Sequence, residues 1–289
     1  MPELPEVEVV KRSLINKMQN LIVKSVKIND GRLRYKIDIN KIKKIIGLKF
    51  KKISRRSKYL IFFFNTDIVM LVHLGMTGKF FFINRKRIKY KTSFYYDINE
   101  DKDKKHDRII FQLSNNQKLI YNDIRKFGFI KIIKRKNLEH SSHLKHLGPE
   151  PLSTKFNIVY FKNYIKGKKR TIKDLLMDQK FVSGLGNIYV NEILFFSGIR
   201  PLKKIKKLSN FEIQKIIKFS KKIISRAIKF GGSSIRDFSS ISGKKGSFQQ
   251  HFSVYGKKGE NCSKIECMGK IKKIVIANRA SFFCDKCQK

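Results

Sequence analysis

Short apolar runs dominate the first 135 residues: KYLIFFF, DIVMLVHL, KFFFI, RIIFQL, KLIY and FGFIKII, all rich in β-branched and aromatic side chains. Turn-forming stretches such as Asn65-Thr66-Asp67 and Ser114-Asn115-Asn116 separate them, which predicts an antiparallel sandwich or barrel. The opening segment has a different period. Val7, Val10, Leu14 and Met18 recur at helical spacing, Pro5 suits a first helical turn, and Glu6 and Glu8 suit the positive end of a helix dipole. Residues 136–152, ending in LGPEPL, read as a linker, and the pattern beyond them turns helical. The clearest case is 209–230. Ser209 and Glu212 make a capping box, Ile216, Ile217, Ile223, Ile224 and Ile228 carry the apolar stripe, and Gly231-Gly232 ends it. A Gly- and Ser-rich stretch, 231–247, reads as a mobile loop. The expected domains are 1–135, a linker 136–152, 153–240 and 241–289.

Composition narrows the class. With 289 residues and 41% hydrophobic content the chain has material for two moderate cores rather than a disordered basic tail. Lys and Arg number 66 against 22 Asp and Glu, a formal +44 that points to a polyanion, of which nucleic acid is the commonest. Much of that excess follows from a general Lys, Ile, Asn and Phe bias, so charge alone decides nothing. No lysine-rich helix shows the clean apolar face that a membrane surface requires, and no apolar run is long enough to span a bilayer. An acidic, proline-containing start is not a secretory signal, so a cytoplasmic protein is expected.

All four cysteines fall in the last 28 residues, as C-x4-C-x16-C-x2-C. Two close pairs of thiolates suit one tetrahedral ion, and a segment this short has no other means of building a stable core. One structural Zn2+ held by Cys262, Cys267, Cys284 and Cys287 is expected, with no open position for catalysis. Between the pairs, Arg279 is offered at a hairpin tip, as a phosphate clamp or as a plain solvated arginine. Upstream, LMDQKFVSGLGNIYVNEILFFSGI places two helical stretches around Ser183-Gly184-Leu185-Gly186-Asn187. Free N–H groups at the second helix start, with the Asn187 amide, suit a phosphate; many such turns merely connect packed helices.

The first residues, MPELPEVE, set three carboxylates beside two prolines in a very basic chain. Removal of the initiator Met leaves Pro2 as a free secondary amine. Condensed with an aldehyde, that amine gives an iminium that is cationic without a proton, and an α-amino group sheds its proton more readily than lysine, at roughly 8 against about 10.4. Glu3 is adjacent for proton transfer and Glu6, one turn on, can organise the site. Pro and Glu are equally ordinary at a helix N-terminus, so these positions alone leave both readings open.

PELPEVE, RRSKYLIF, HLGMTGKF, KHD, NDIRKFG, HLGPEPL, LMDQKFVSGLGNIYVNEILF and VYGKKGENC, in that order and followed by the cysteine hairpin, resemble bacterial formamidopyrimidine-DNA glycosylase along the whole chain. The resemblance implies an α+β protein: an N-terminal antiparallel β-sandwich with an N-terminal helix, a helix-two-turn-helix domain and a β-hairpin zinc finger. It implies a base-excision enzyme with AP lyase activity, working as a monomer on double-stranded DNA that contains an oxidised purine or an abasic site, in the bacterial cytoplasm and on the nucleoid. Pro2 would attack C1′ of the damaged nucleotide, Glu3 would act as general acid or base, and Glu6 would support it, so that the acids serve the terminal amine. Lys58 matches a lysine that contacts phosphate and donates a proton in β-elimination, and Arg279 one linked to δ-elimination. His106, Arg125 and Lys169 fall at DNA contacts, with His73 and Asn187 as further phosphate ligands. Met76, Arg125 and Phe127 match three residues that fill the gap left by an extruded base, and the 231–247 loop would cover the flipped 8-oxoguanine. Departures are the x4 knuckle, Ile124 and Lys126 in NDIRKFG, and a long segment 89–105 expected as an exposed insertion. Two rivals are an endonuclease VIII-like enzyme for oxidised pyrimidines and a non-catalytic zinc-containing DNA-binding protein; Met76, the long loop, and joint retention of Pro2, Glu3, Glu6 and Lys58 favour the purine enzyme.

Overall fold

The computed structural model describes residues 2–83, 104–233 and 247–289 with their side chains, and the backbone of 89–92. It divides into two compact units, Met1–Lys145 with Phe230–Gln249, and His146–Lys229 with Gln250–Lys289.

The first unit opens with helix α1 (Leu4–Met18), whose Leu4, Val7, Val10, Leu14 and Met18 are all buried, as the helical spacing predicts. Two antiparallel sheets follow. One joins β1 (Val23–Ile28), β7 (Asp107–Leu113), β8 (Lys118–Asn122), β5 (Lys79–Ile83) and β6 (Lys89–Thr92), in that spatial order. The other is β2 (Phe50–Arg56), β3 (Tyr59–Phe64), β4 (Ile68–His73) and β9 (Phe129–Lys134). A single apolar cluster takes in α1 and both sheets, with Phe50, Phe62, Met70, Phe80, Phe111 and Tyr121 at its centre. This is the β-sandwich expected from the apolar runs. Strands β1 and β2 escape that reading because VKSVKI and FKKISRR carry lysine and arginine on their outer faces, which dilutes the apolar signal. The segment 89–105, expected as an insertion, begins as β6, which pairs along the edge of β5 (Phe80↔Thr92, Phe82↔Tyr90); residues 93–103 lie outside the described residues. A short helix, α2 (Ile39–Lys43), is capped by Asp38 and was not anticipated.

The second unit is helical, with α3 (Ile158–Ile165), α4 (Ile172–Met177), α5 (Asn187–Ser197) and α6 (Asn210–Lys229), and closes on the hairpin β10 (Ile271–Ile276) and β11 (Arg279–Cys284). The Ser209–Glu212 box before α6 is present in both directions: Ser209 N–H donates to Glu212 Oε2 at 3.0 Å, and Glu212 N–H donates to Ser209 Oγ at 3.2 Å. Gly231 and Gly232 follow the helix with φ of +79° and +81°. Among the described residues no helix is long and apolar enough to cross a membrane.

A close backbone approach in the first unit lies between the HLGMTG and NDIRKFG loops. Gly75 has φ +61°, and a Cβ there would stand 2.4 Å from the Gly128 nitrogen. Gly75→Ala therefore meets both left-handed strain and backbone that has nowhere to go. A loss of about 3 kcal/mol or more is expected, measured by urea denaturation against the parent chain.

Candidate active site and cysteine centre

Removing a carboxylate from water is costly unless donors meet it. At the start of α1, Pro2, Glu3, Glu6 and Glu8 are all buried. Glu3 is the N-cap, and a capping box runs both ways: its carboxylate accepts the Glu6 N–H, and Glu6 Oε2 accepts the Glu3 N–H at 2.8 Å. Glu6 Oε1 accepts two more hydrogen bonds, from Ser233 N–H at 2.8 Å and Ser233 Oγ at 3.0 Å. A Cβ on Gly232 would sit 3.1 Å from that same oxygen, so the approach depends on glycine. Glu6 thus fixes the backbone at Glu3 and anchors residue 233; residues 234–246, the body of the expected covering loop, lie outside the described residues.

Glu8 corrects the expectation that all three acids serve the terminal amine. Its carboxylate lies 2.7 Å from Lys11 and 3.0 Å from Arg12 on Oε1, and 2.9 Å from Arg55 on Oε2. Burial pushes its pKa up, but the hydrogen bonds from Lys11, Arg55 and Arg12 outweigh that and hold it below the usual range. Arg55 also donates to the Ser57 carbonyl at 2.9 Å, and Ser57 takes φ +55°. Glu8 and Arg55 therefore brace the β2–β3 turn that presents Lys58, which is buried.

His73, at the end of β4, is the electrostatic neighbour of Lys58. Burial, then the charges of Lys58 and Arg34 and the His143 ring, push its pKa down to about 4. Its Nδ1 accepts the Gly75 N–H at 3.0 Å, a bond open only to the unprotonated nitrogen. Met76 follows in the same loop. Asp123, fully buried, ties this loop to the next one: Thr77 Oγ1 donates to Asp123 Oδ1 and accepts the Arg125 N–H at 2.9 Å, while Gly128 N–H donates to Asp123 Oδ2 at 2.8 Å. The result places Arg125 over the Phe127 ring at 4.6 Å, with Phe127 44% exposed. An exposed ring under a guanidinium is a stacking surface with a donor attached. Lys126 takes φ +58° and pairs with Asp30 at 2.8 Å. His106 adjoins this group: its carbonyl accepts the Asp123 N–H at 3.1 Å, and its Nδ1 lies 3.2 Å from Arg108 Nη2.

In the second unit, Gln179 organises the Gly-rich turn between α4 and α5. Its amide nitrogen donates to the Leu185 carbonyl at 2.8 Å and its oxygen accepts the Gly184 N–H at 2.8 Å. Asn187 opens α5, but its amide donates to the Ala280 carbonyl at 3.0 Å, so one of its two hydrogens is already committed to the hairpin. Lys173, buried, donates to the same carbonyl at 3.0 Å and to Ser281 Oγ at 2.6 Å. Helices α4 and α5 therefore hold β11 directly beside Arg279, which is exposed at the tip after Ala277 and Asn278 at φ +48° and +57°. Lys169 is exposed before α4. Glu192 was missed: inside the apolar run of α5 it accepts the N–H groups of Ser253, Val254 and Tyr255 at 2.8, 3.0 and 2.9 Å. A lone acid in a buried helical run had to find donors; that was the available signal, and it holds for Asp123 too.

The four cysteine sulfurs lie within 4.8 Å of one another. Cys262–Cys287 and Cys267–Cys284 are 3.8 and 3.6 Å apart. A disulfide needs about 2.05 Å, whereas thiolates about 2.3 Å from a central ion stand about 3.8 Å apart at the corners of a tetrahedron. The x4 knuckle closes through a turn from Lys264 to Cys267, with Glu266 at φ +62°. The donor set fits a four-coordinate metal.

A β-sandwich with acid-capped helix start, a helix pair around a Gly-rich turn and a four-cysteine hairpin define a class of DNA glycosylase. The chain belongs to the formamidopyrimidine-DNA glycosylase family: residues 1–130 match the family's N-terminal domain and residues 147–239 its H2TH domain. It is 39% identical to a formamidopyrimidine-DNA glycosylase of Rickettsia massiliae over 288 residues, covering 100% of this chain and 97% of the relative. It is 35% identical to that of Roseobacter denitrificans over the full length of both. Among solved structures, a Lactococcus lactis FPG mutant in complex with Fapy-dG-containing DNA gives a TM-score of 0.86 at 33% identity, with both chains covered completely. The Lactococcus lactis Fpg complex with abasic-site DNA gives 0.85 at 33% identity, covering 99% of each.

The folded-state pKa of His73 lies below its unfolded value, so the unfolded chain takes up this proton first. The stability His73 contributes as a neutral ring is present above about pH 6.5 and is lost as pH falls towards about 4. Urea midpoints across that window are expected to fall less steeply for His73→Asn, and imidazole NMR of the parent to show a neutral ring at pH 5.5; a charged ring there contradicts the assignment.

Proposed function

We propose that this enzyme removes oxidised purines, 8-oxoguanine and formamidopyrimidines, from duplex DNA and then cleaves the abasic strand. The observation that carries the reading is the buried group of Pro2, Glu3 and Glu6, in which a capping box fixes the residue beside the proline. With the initiator Met removed, the Pro2 lone pair attacks C1′ and the glycosidic bond breaks with its electrons on the departing base. Loss of the Pro2 proton and opening of the sugar give an iminium; Glu3 supplies or accepts the proton that these steps move. Glu6 acts through Glu3 and does not touch the sugar. The iminium acidifies C2′–H, so β-elimination expels the 3′ phosphate with Lys58 as its phosphate contact and proton donor. The second elimination, of the 5′ phosphate, falls to Arg279.

Substrate extrusion leaves a gap in the duplex. Met76 and the Phe127 ring enter it and Arg125 meets the orphaned base, a role supported by the exposure of Phe127 and the shared Asp123 lock. His73, His106, Lys169 and Asn187 contact the backbone. The four cysteines hold one Zn2+, which supplies folding free energy to the hairpin and no reactivity. A second reading, action on oxidised pyrimidines, draws on a Lactococcus lactis FPG complex with oxidised-pyrimidine DNA, which matches at a TM-score of 0.84 and 32% identity.

Borohydride trapping tests the chemistry, on an 8-oxoguanine·cytosine duplex, an oxidised-pyrimidine duplex and an abasic duplex. A cross-link mapped to Pro2 on the first and third is expected, with the pyrimidine duplex slower; the reverse order would favour the second reading. Pro2→Gly and Glu3→Gln are each expected to lower base release at least about 100-fold while duplex affinity stays unchanged, and full activity in either ends the assigned mechanism. Metal analysis is expected to give one zinc per chain, with Cys284→Ser losing the metal and duplex affinity while the first unit keeps its melting transition.

A further inference from the structure

Among the buried charged side chains of the first unit, Arg108 has no part in the chemistry above. It follows the single 3-10 turn Lys104–His106, on β7. The β7–β8 register slips there, with Asp107 paired to Asn122 and Ile109 to Tyr121, so Arg108 is the extra residue of a bulge. Its carbonyl accepts the Asn29 N–H at 2.9 Å, which pins the bulge from the backbone side. The guanidinium is pinned on three sides: Nε donates to the Asp123 carbonyl at 2.9 Å, Nη1 donates to Asp30 Oδ2 at 3.1 Å, and Nη2 meets His106 Nδ1 at 3.2 Å. Asp30 also pairs with Arg32 at 2.9 Å and Lys126 at 2.8 Å, and their hydrogen bonds hold its carboxyl well below the usual carboxylate range. Arg108 therefore rests on an ionised partner.

A guanidinium offers N–H donors and no acceptor, so a ring nitrogen that meets it has to accept. His106 Nδ1 therefore carries no proton, and Nε2 carries the one that the ring keeps. We propose that Arg108 is a positioning residue for DNA binding: it fixes His106 in the neutral Nε2–H form, and so makes it a directed donor to a backbone phosphate rather than a charge. This rests on the reading of His106 as a backbone contact. A protonated ring, or the other neutral tautomer, would set an Nδ1–H against the guanidinium. The Asp123 N–H that donates to the His106 carbonyl belongs to the residue whose own carbonyl Arg108 grips, so the ring keeps its orientation relative to the loop of Arg125 and Phe127. A neutral donor displaces no counterion, so its contribution to affinity adds nothing to the salt dependence. In a chain with 66 Lys and Arg, such a contact adds direction where charge is already plentiful.

The test uses the full chain with nitrogen-labelled histidine, and a duplex that carries an abasic-site analogue. Long-range proton–nitrogen NMR of the parent at pH 7 is expected to show His106 with a protonated Nε2 and a bare Nδ1, its signals assigned by their loss in His106→Gln. A protonated Nδ1 overturns the proposal without any change to Arg108. Arg108→Met is expected to let the ring exchange between tautomers, and Arg108→Lys, which keeps a donor, to restore the parent pattern. Asp30 retains Arg32 and Lys126 in both, so neither variant strands its charge. A parent pattern that survives in Arg108→Met also overturns the proposal. His106→Ala is expected to weaken duplex binding about tenfold with an unchanged slope of affinity against salt, and Arg108→Met to cost less in the His106→Ala background than in the parent. Unchanged affinity in His106→Ala, with the tautomer as expected, removes the backbone contact and leaves Arg108 a brace only. A slope smaller by about one marks a charged ring and overturns the donor assignment.

Discussion

Every carboxylate that this chain buries has to be given donors, and the molecule uses that obligation to position its loops. Glu6, Asp123 and Glu192 are each almost wholly buried. Each accepts hydrogen bonds from a distant segment: the Ser233 N–H on Glu6, the Thr77 hydroxyl on Asp123, and the N–H groups of residues 253–255 on Glu192. Hydrogen bonds to charged groups are stronger than neutral ones, and a buried carboxylate left short of them is penalised heavily. A loop tethered this way cannot drift without exposing a charge to a low-dielectric interior. In a chain whose lysines outnumber its acids so heavily, the surface has no shortage of positive charge. The few buried acids carry the positional information.

The candidate site follows from those tethers. Glu6 makes a rigid element of the residue beside Pro2, because its two oxygens are engaged on opposite sides. Asp123 joins two loops whose glycines let their backbones nearly touch, so Met76, Arg125 and Phe127 come from one locked structure rather than from two independent ones. Glu8 and Arg55 do the same for the turn before Lys58. None of these supporting residues needs to meet DNA. Their effect is to hold side chains in place before any substrate arrives, which lowers the ordering cost of binding.

What could be read from the sequence was whatever left a local trace. The six short apolar runs became strands because β-branched and aromatic side chains announce a pleated, buried face. The capping box at Ser209 and the tetrahedral cysteine spacing are likewise local chemistry. Strands β1 and β2 were missed because lysine bias filled their solvent positions until alternation disappeared. Asp123 and Glu192 were missed for a different reason: the Thr77 hydroxyl that meets Asp123 and the N–H groups that meet Glu192 come from remote segments, and no spacing rule connects Glu192 to residue 254. The resemblance brought Arg125, Met76 and Phe127 into one group, yet the residue that holds their loops together sits two positions from Arg125 and drew no notice.

Glu8 shows how proximity in sequence misleads in the same way. Three acids in the first eight residues suggested one shared purpose, but a helix turns about 100° per residue, so Glu6 and Glu8 point about 200° apart. Glu6 faces the backbone of Glu3 and Ser233, while Glu8 faces Lys11, Arg12 and Arg55. Two carboxylates on opposite sides of a helix cannot converge on one amine. The helix instead divides the work, with one acid organising the residue beside the nucleophile and the other steadying, through Arg55, the turn that carries the lysine. That arrangement gives a single buried helix start control over both ends of the proposed chemistry.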